Sequence, residues 1–500
     1  MSESFSDLNT VALKAKAIRG AGINISAHFV GFIFRTGGVI ALSRLLTPED
    51  FGVVAMVTAF SLLLMNFGVN GLTEFIIQKQ EISKEEMNSL FWSHFAIAGV
   101  FSIGFVFLGQ LLVEFYGEHA LWGIAASMSF GFILYALFTC QFAILKRQMR
   151  FSVIALIELV AAILSVIVSL GLAVVGAGYW AVVARHLTVP LVMVGGAWLF
   201  SPWRPGVPRY LKKGLPGLKY AVQVYCNFTL SYFTKNIDKV LLGRFHGAAV
   251  LGSYDRGYYL SSLPADQLLT PLNSVALATL SRLKNDRERF LAYYEKAVSL
   301  IAFLGMLCSV MLMATARDLV LLLLGAAWNE TGNVVFALAP GIGALLVYGT
   351  HSWLHLSLGT PNRWFRWNIV ASSLTLIGFI IAVPYGAVAM GAAYSVRSLA
   401  LMLPGIWYAG HPVRLDLRCV ISSIWAYLIS AILVYCVWLY ISSEWLEFIK
   451  YFENFAVISR IAIAGGLGAG LYLGLVVVFE RSFRSLTQTL SFIRVFLVGK

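Results

Sequence analysis

The sequence predicts an all-α polytopic membrane protein: about fourteen transmembrane helices, arranged as two pseudo-symmetric six-helix lobes around a central cavity, plus two C-terminal helices. Three observations lead there. The chain is 59% hydrophobic and only 12% charged, with a mean hydropathy of +0.80, a balance that no soluble domain of this size tolerates on its surface. Its apolar stretches run about 20–27 residues, the length a helix needs to cross about 30 Å of hydrocarbon, whereas the strands of a membrane barrel are about 10 residues of alternating character. Its basic residues collect on alternate connections, as the positive-inside rule requires.

Hydropathy places the spans near residues 19–43, 51–77, 88–112, 119–144, 152–175, 178–200, 219–243, 250–280, 296–316, 333–357, 364–383, 389–409, 419–440 and 455–479. The polar segment 1–18 leads into the first span without the short apolar core and small-residue cleavage site of a signal peptide, so the first span is expected to remain as an anchor. The tails and even-numbered connections carry roughly 26 Lys and Arg against 5 on the odd ones (Arg44, Arg244, Arg256, Arg317, Lys450). Both termini are therefore expected in the cytoplasm. The net charge of +13 is mostly topology, dispersed over short loops with no basic domain to grip a nucleic-acid duplex.

The predicted organisation is a cytoplasmic segment 1–18, an N-lobe 19–200, an inter-lobe linker 201–218, a C-lobe 219–410, two additional helices in 411–480 and an amphipathic tail 481–500. In that tail Phe483, Leu486, Leu490, Ile493 and Leu497 share one helical face, which suits a helix lying on the inner leaflet. The two lobes rest on a repeat. Residues 42–60 read "LSRLLTPEDFGVVAMVTAF" and residues 242–260 read "LGRFHGAAVLGSYDRGYYL", with Leu42, Arg44 and Gly52 matched by Leu242, Arg244 and Gly252. The same shift pairs Arg35 with Lys235 and Asn66 with Asp266, and a slightly larger one pairs Arg185 with Arg397. Six spans followed by six in the same orientation form a parallel repeat about an axis normal to the membrane, an arrangement suited to alternating access.

Charge within a span costs about 2.5–3.5 kcal/mol on insertion scales, so such residues are expected to face a wet cavity or a partner. Helical spacing sets Asn24, His28 and Arg35 on one face of the first span, and Asn66, Asn70 and Glu74 on one face of the second. In the seventh, Asn227, Ser231, Lys235 and Asp238 repeat the pattern. The cationic excess over the acids Glu74, Glu158, Asp238 and Asp266 favours an anionic ligand, because Arg offers forked donors matched to phosphate oxygens. The expected cavity residues are Arg35, Arg185, Lys235, Arg397, His28, Asn66 and Asn70. Asp238, Asp266 and Glu158 are candidates for cation coupling.

Other chemistry is disfavoured. His351 and His355 stand four residues apart without a Cys or acid in that span, which reads as hydrogen bonding rather than a metal site. The five cysteines fall within or at the edges of apolar spans and read as packing residues. There is no GxxxxGK[ST], HExxH or G-x-S-x-G motif. The longest outside connections, near 317–332 and 441–454, are about 15 residues, too short for an external catalytic domain. No enzyme activity, cofactor or metal is expected.

Four stretches carry a family resemblance: "LSRLLTPEDFGVVAM", "LKRQMRF" (145–151), "NIDKVLLGRFHGAAVLGSYDRGYYLSSLP" (236–264) and "LSLGTPNRWFRW" (356–367). Over nearly its whole length the chain resembles the polysaccharide transporter family of Wzx-like flippases, also called lipopolysaccharide biosynthesis proteins. That family belongs to the multidrug/oligosaccharidyl-lipid/polysaccharide exporter superfamily. The resemblance implies twelve core helices in two lobes, often with two more. It implies translocation of an undecaprenyl-pyrophosphate-linked oligosaccharide across the bacterial inner membrane for exopolysaccharide, capsule or O-antigen. It also implies membrane lipids, polysaccharide polymerase and chain-length machinery as partners. With the stripes, it makes Arg35, Arg185, Lys235 and Arg397 the candidates for gripping the pyrophosphate. The alternatives are a cation-coupled multidrug exporter of the same superfamily, which would want acids facing its cargo, and a polysaccharide polymerase or ligase, which generally carries a large external loop.

Overall fold

A computed structural model describes residues 29–67, 69, 71–207, 214–444 and 455–480. His28, Asn70, the segments 1–28 and 481–500 with the amphipathic tail, and part of the expected linker (208–213) lie outside the described residues. Those described form helices with short connections and no strand. In chain order they are α1 (residues 29–45), α2 (Pro48–Met65), α3 (Leu72–Gln78), α4 (Lys84–Tyr116), α5 (Ala120–Arg147), α6 (Phe151–Val174), α7 (Tyr179–Phe200), α8 (Leu215–Leu283), α9 (Arg287–Leu323), α10 (Asn329–Gly349), α11 (His351–Ser357), α12 (Pro361–Ala382), α13 (Ala387–Gly410), α14 (Leu417–Glu444) and α15 (Val457–Glu480).

Among the described residues eleven segments are long and apolar enough to cross a membrane, and large side chains such as Phe107, Val174 and Leu199 are exposed along them. This is a multi-pass membrane protein. Three of the fourteen expected spans are not among those eleven. The first is described only from residue 29. The seventh and eighth form α8, where Lys235, Asp238 and Lys239 dilute the apolar run and Gly247 breaks the helix with φ +78°.

Local chemistry explains the helix ends. At the first corner Thr47 and Asp50 form a reciprocal capping box: the Thr47 backbone N–H donates to Asp50 Oδ2 at 2.9 Å and the Asp50 N–H to Thr47 Oγ1 at 3.3 Å, with Pro48 following at the first helical position. The polar corner is thus a helix start. The Ser83 and Asp286 side chains cap α4 and α9 by accepting from the Glu86 and Arg289 backbone N–H groups, and Gly117 closes α4 in the left-handed region at φ +80°.

The expected continuous second span is corrected, and Asn66 and Glu74 do not share one helix; Asn70 lies outside the described residues. α2 ends at Met65, the chain turns through Gly71 at φ +114°, and α3 begins at Leu72. Asn66 caps α2 and donates its side-chain amide to the Leu62 carbonyl at 2.7 Å. The Glu74 carboxylate accepts from the Gly71 N–H and so starts α3. The expected connection at 317–332 is also shorter than read, because α9 runs on to Leu323.

The contacts divide the chain into two compact units, Met1–Gly252 and Ser253–Lys500. In the first, an apolar cluster of Leu72, Ile76, Met87, Leu90, Phe91, Cys140 and Ala143 locks α3 to α4 and α5. Tyr225 and Tyr232 of α8 donate to the Leu63 and Thr58 carbonyls of α2 at 2.9 and 3.1 Å. The repeated corners meet here. A Cβ on Gly52 would lie 1.8 Å from the Ala248 carbonyl oxygen, and one on Gly252 would lie 1.8 Å from the Pro48 carbonyl oxygen. The contact is reciprocal under the repeat, since position 48 answers 248 and position 52 answers 252. Only glycine permits backbones to approach so closely.

In the second unit α9 is the hub, packed on α10, α14 and α15. Tyr472 of α15 donates to the Phe303 carbonyl at 3.0 Å, Ser299 and Tyr427 share a hydrogen bond of 3.2 Å, and Arg460 pairs with Asp318 at 2.6 Å. Arg460, one of the cations at a span margin, therefore serves to dock α15.

Candidate functional site

The cationic positions singled out by sequence fall in both units. In the first, α7 brings Arg185 to α1, where its Nη2 donates to the Arg35 carbonyl oxygen at 3.1 Å. Arg185 is half-buried, whereas the Arg35 side chain is exposed and curls back along its own helix, with Nη1 3.1 Å from where a Cβ on Gly31 would stand. Gly31 leaves room for that curl. Arg185 thus meets the Arg35 backbone, while the Arg35 guanidinium lies beside Gly31, about one turn earlier on α1; both side chains carry the forked donors suited to an anion's oxygens.

The remaining candidates are less gathered. Lys235 is exposed on α8 and has no ion pair among the described residues. Asp238 is only 2% exposed, and its Oδ1 accepts from the Lys239 backbone N–H at 2.9 Å. The two therefore meet different surroundings despite their spacing. Glu158 is half-buried on α6. Asn66 is engaged in capping α2, as described above.

In the second unit Asp266 is exposed. Arg397 on α13 is half-buried, with its guanidinium 4.9 Å from the Tyr394 ring centroid and its Nε enclosed with no hydrogen-bond partner among the described residues. Tyr394 packs edge-on to Tyr258 with ring centroids 5.5 Å apart and hydroxyls 3.4 Å apart. Arg397 thus sits on an aromatic support with donors left over. Such support stabilises a desolvated cation by about 0.5–2 kcal/mol.

His351 and His355 do what hydrogen-bonding residues do. His351 Nδ1 lies 2.6 Å from the Tyr348 carbonyl oxygen and His355 Nδ1 lies 3.0 Å from Thr360 Oγ1. No group of three or more metal-ligating side chains occurs among the described residues. The sequence reading missed Arg363, counted there as a loop cation. It lies 4.4 Å over the Tyr408 ring and donates to the Tyr408 carbonyl at 2.8 Å. Its alternation with Trp364 and Trp367 in "NRWFRW" was the available signal.

Known proteins place this arrangement. A family model described as polysaccharide biosynthesis protein matches residues 41–333. The succinoglycan biosynthesis transport protein ExoT of Rhizobium meliloti is 24% identical over 380 residues, 76% of each chain. The lipopolysaccharide biosynthesis protein WzxC of Escherichia coli is 22% identical over 357 residues, 70% of each chain. Among solved structures, lipid II flippase MurJ in an inward closed conformation superposes with a TM-score of 0.71 at 16% identity, covering 93% of this chain and 100% of that one. An inward-facing multidrug resistance transporter of the MATE family follows with a TM-score of 0.60 at 14% identity, covering 78% and 98%. These structures share the fold. The family match spans more than half of the sequence, including both glycine corners and the seventh and eighth predicted spans: the chain is a member of the polysaccharide biosynthesis protein family.

Proposed function

We propose that the protein translocates an oligosaccharide carried on undecaprenyl pyrophosphate from the cytoplasmic to the outer leaflet of the bacterial inner membrane, by alternating access of two lobes related by the sequence repeat. Both termini are cytoplasmic in this reading, and polysaccharide polymerase and chain-length machinery act on the delivered product. The protein is a transporter rather than an enzyme. Family membership supports the substrate class, and the names of the relatives point to transport in polysaccharide biosynthesis.

The observation that carries the reading is the joining of Arg185 to Arg35 on the first unit. Arg397 and Lys235 are its proposed counterparts in the second half of the repeat. Basic side chains replace the water around the pyrophosphate, while the isoprenoid tail stays in the bilayer and polar side chains accommodate the sugars. With the cell interior negative, each negative charge moved outward gains about 2.3 kcal/mol per 100 mV, so no nucleotide is needed. The acids Asp238, Asp266 and Glu158 provide for ion coupling.

The test replaces Arg185 and Arg397 together by Ala in a strain that depends on this transporter for surface polysaccharide. Export should be lost while the protein still inserts in the membrane at its normal level. Normal export in that variant would remove both residues from the mechanism. A change in drug susceptibility with intact surface polysaccharide would favour the multidrug-exporter alternative.

A further inference from the structure

A cavity of about 370 Å³ opens where the ends of α3, α4 and α5 meet the chain after α7. Its walls are apolar, supplied by Ile76, Ile82, Met87, Ile144 and Trp203, and its polar lining is Lys84, Arg147 and Gln148. No carboxylate among the described residues lines it. Glu86, next to the lining residue Met87, is taken by Lys79 in an ion pair of 2.5 Å, and Glu81 and Glu85, next to Ile82 and Lys84 in sequence, are not among the lining residues.

Each cation has a specific setting. The Arg147 Nη1 donates to the Ile76 and Lys79 carbonyl oxygens at 2.7 Å each, and Nη2 donates to the Gln80 carbonyl. These bonds hold the guanidinium in place and leave its charge uncompensated by any acid in the cavity. Lys84 is exposed and has no ion pair among the described residues. It is also the first residue of α4, where the helix dipole repels a cation, so its position is unfavourable for the helix alone. Trp203 is held against Phe91, ring centroids 5.9 Å apart, and the following Gly206 is tied to α4 by Trp92 Nε1 at 2.8 Å and Asn88 Oδ1 at 3.0 Å. The wall formed by the chain after α7 is therefore built in.

We propose that this cavity binds an anionic phospholipid of the surrounding bilayer. The phosphodiester rests between Lys84 and Arg147, the Gln148 amide meets the glycerol oxygens, and the first methylenes of one acyl chain lie along Ile76, Ile82, Ile144 and Trp203. A free phosphate would use the cations but leave the apolar walls wet, and a zwitterionic lipid would bring its own ammonium against Lys84. The size falls in the range of about 300–1,000 Å³ typical of small-molecule sites. The bound lipid ties the segment after α7 to the headgroup layer. This site is separate from the arginines of the transport reading and does not depend on it.

The experiment titrates the purified full chain, in neutral detergent, with phosphatidylglycerol or phosphatidylcholine of identical acyl chains, and counts bound lipid by native mass spectrometry. Phosphatidylglycerol should bind about tenfold more tightly, the worth of one charge-assisted contact, and lose that advantage in Lys84→Gln. It should keep the advantage in Lys284→Gln, a surface charge elsewhere. Ile144→Trp, which fills the cavity without touching a charge, should also abolish it. Equal binding of the two lipids, or equal behaviour of Lys84→Gln and Lys284→Gln, would overturn the proposal. Displacement of phosphatidylglycerol by glycerol phosphate at comparable concentration would overturn it as a lipid site.

Discussion

Placing a methyl group at Gly52 tests the packing of the repeated corners. An alanine Cβ there would stand 1.8 Å from the Ala248 carbonyl oxygen, 2.5 Å from its carbon and 3.0 Å from its Cα, all backbone atoms that no rotamer change can move aside. A normal carbon–oxygen contact needs about 3.3 Å, so the backbones must part by about 1.5 Å, a gap that forfeits half or more of the local dispersion contacts. Gly52→Ala is therefore expected to destabilise by about 3 kcal/mol, the upper part of the range for overpacking. Gly252→Ala meets the Pro48 carbonyl at the same 1.8 Å and should cost as much. Because the first methyl already forces the backbones apart, the double variant should cost less than the two singles together, by about 1 kcal/mol or more. Gly104→Ala, whose Cβ would meet nothing within 4 Å, is the control and should be neutral or stabilising by up to about 1 kcal/mol. Equilibrium denaturation of the purified protein in detergent reads all four. Single variants as stable as the Gly104 control, or strictly additive losses, would refute a shared close contact.

Removing the cap with Asp50→Ala eliminates the carboxylate that accepts from Thr47 and should cost about 1 kcal/mol in the same denaturation assay, with Asp50→Asn recovering part of the loss. Arg460→Met leaves the Asp318 carboxylate without its cation and should cost about 2 kcal/mol. Adding Asp318→Asn should return much of that stability, which a double-mutant cycle measures. Arg363→Lys keeps the charge but loses the planar face over Tyr408 and should destabilise by about 1 kcal/mol, as read by thermal denaturation.

Much of the fold was legible because apolar length and capping chemistry are local. The runs that became α2, α4 to α7 and α9 to α15 announce themselves by hydropathy, and Thr47-Pro48, Ser83, Asp286 and Gly117 mark ends of α2, α4 and α9. The break between α2 and α3 was not seen, because the apolar character continues through Phe67 and Val69 while the decisive fact, the positive φ of Gly71, is conformational. Glycines in "NFGVNGLTEF" were the available warning. Helical spacing likewise put Lys235 and Asp238 on one stripe, yet one is exposed and the other buried, since what a residue faces depends on which helices pack against it. The meeting of Arg35 and Arg185 joins positions far apart in the chain, and spacing within one helix carries no information about it.

The central claim, that the arginine pair grips a lipid-linked pyrophosphate in transit, is tested most directly in proteoliposomes. The probe is a fluorescent oligosaccharide on an isoprenoid pyrophosphate, with its leaflet read by quenching from outside. Wild-type protein should carry the probe between leaflets, and Arg35→Ala with Arg185→Ala should slow it by about 100-fold, the loss of two charge-assisted contacts of about 1.5 kcal/mol each. Transfer by that double variant at the wild-type rate, or none by the wild-type protein, would contradict the account.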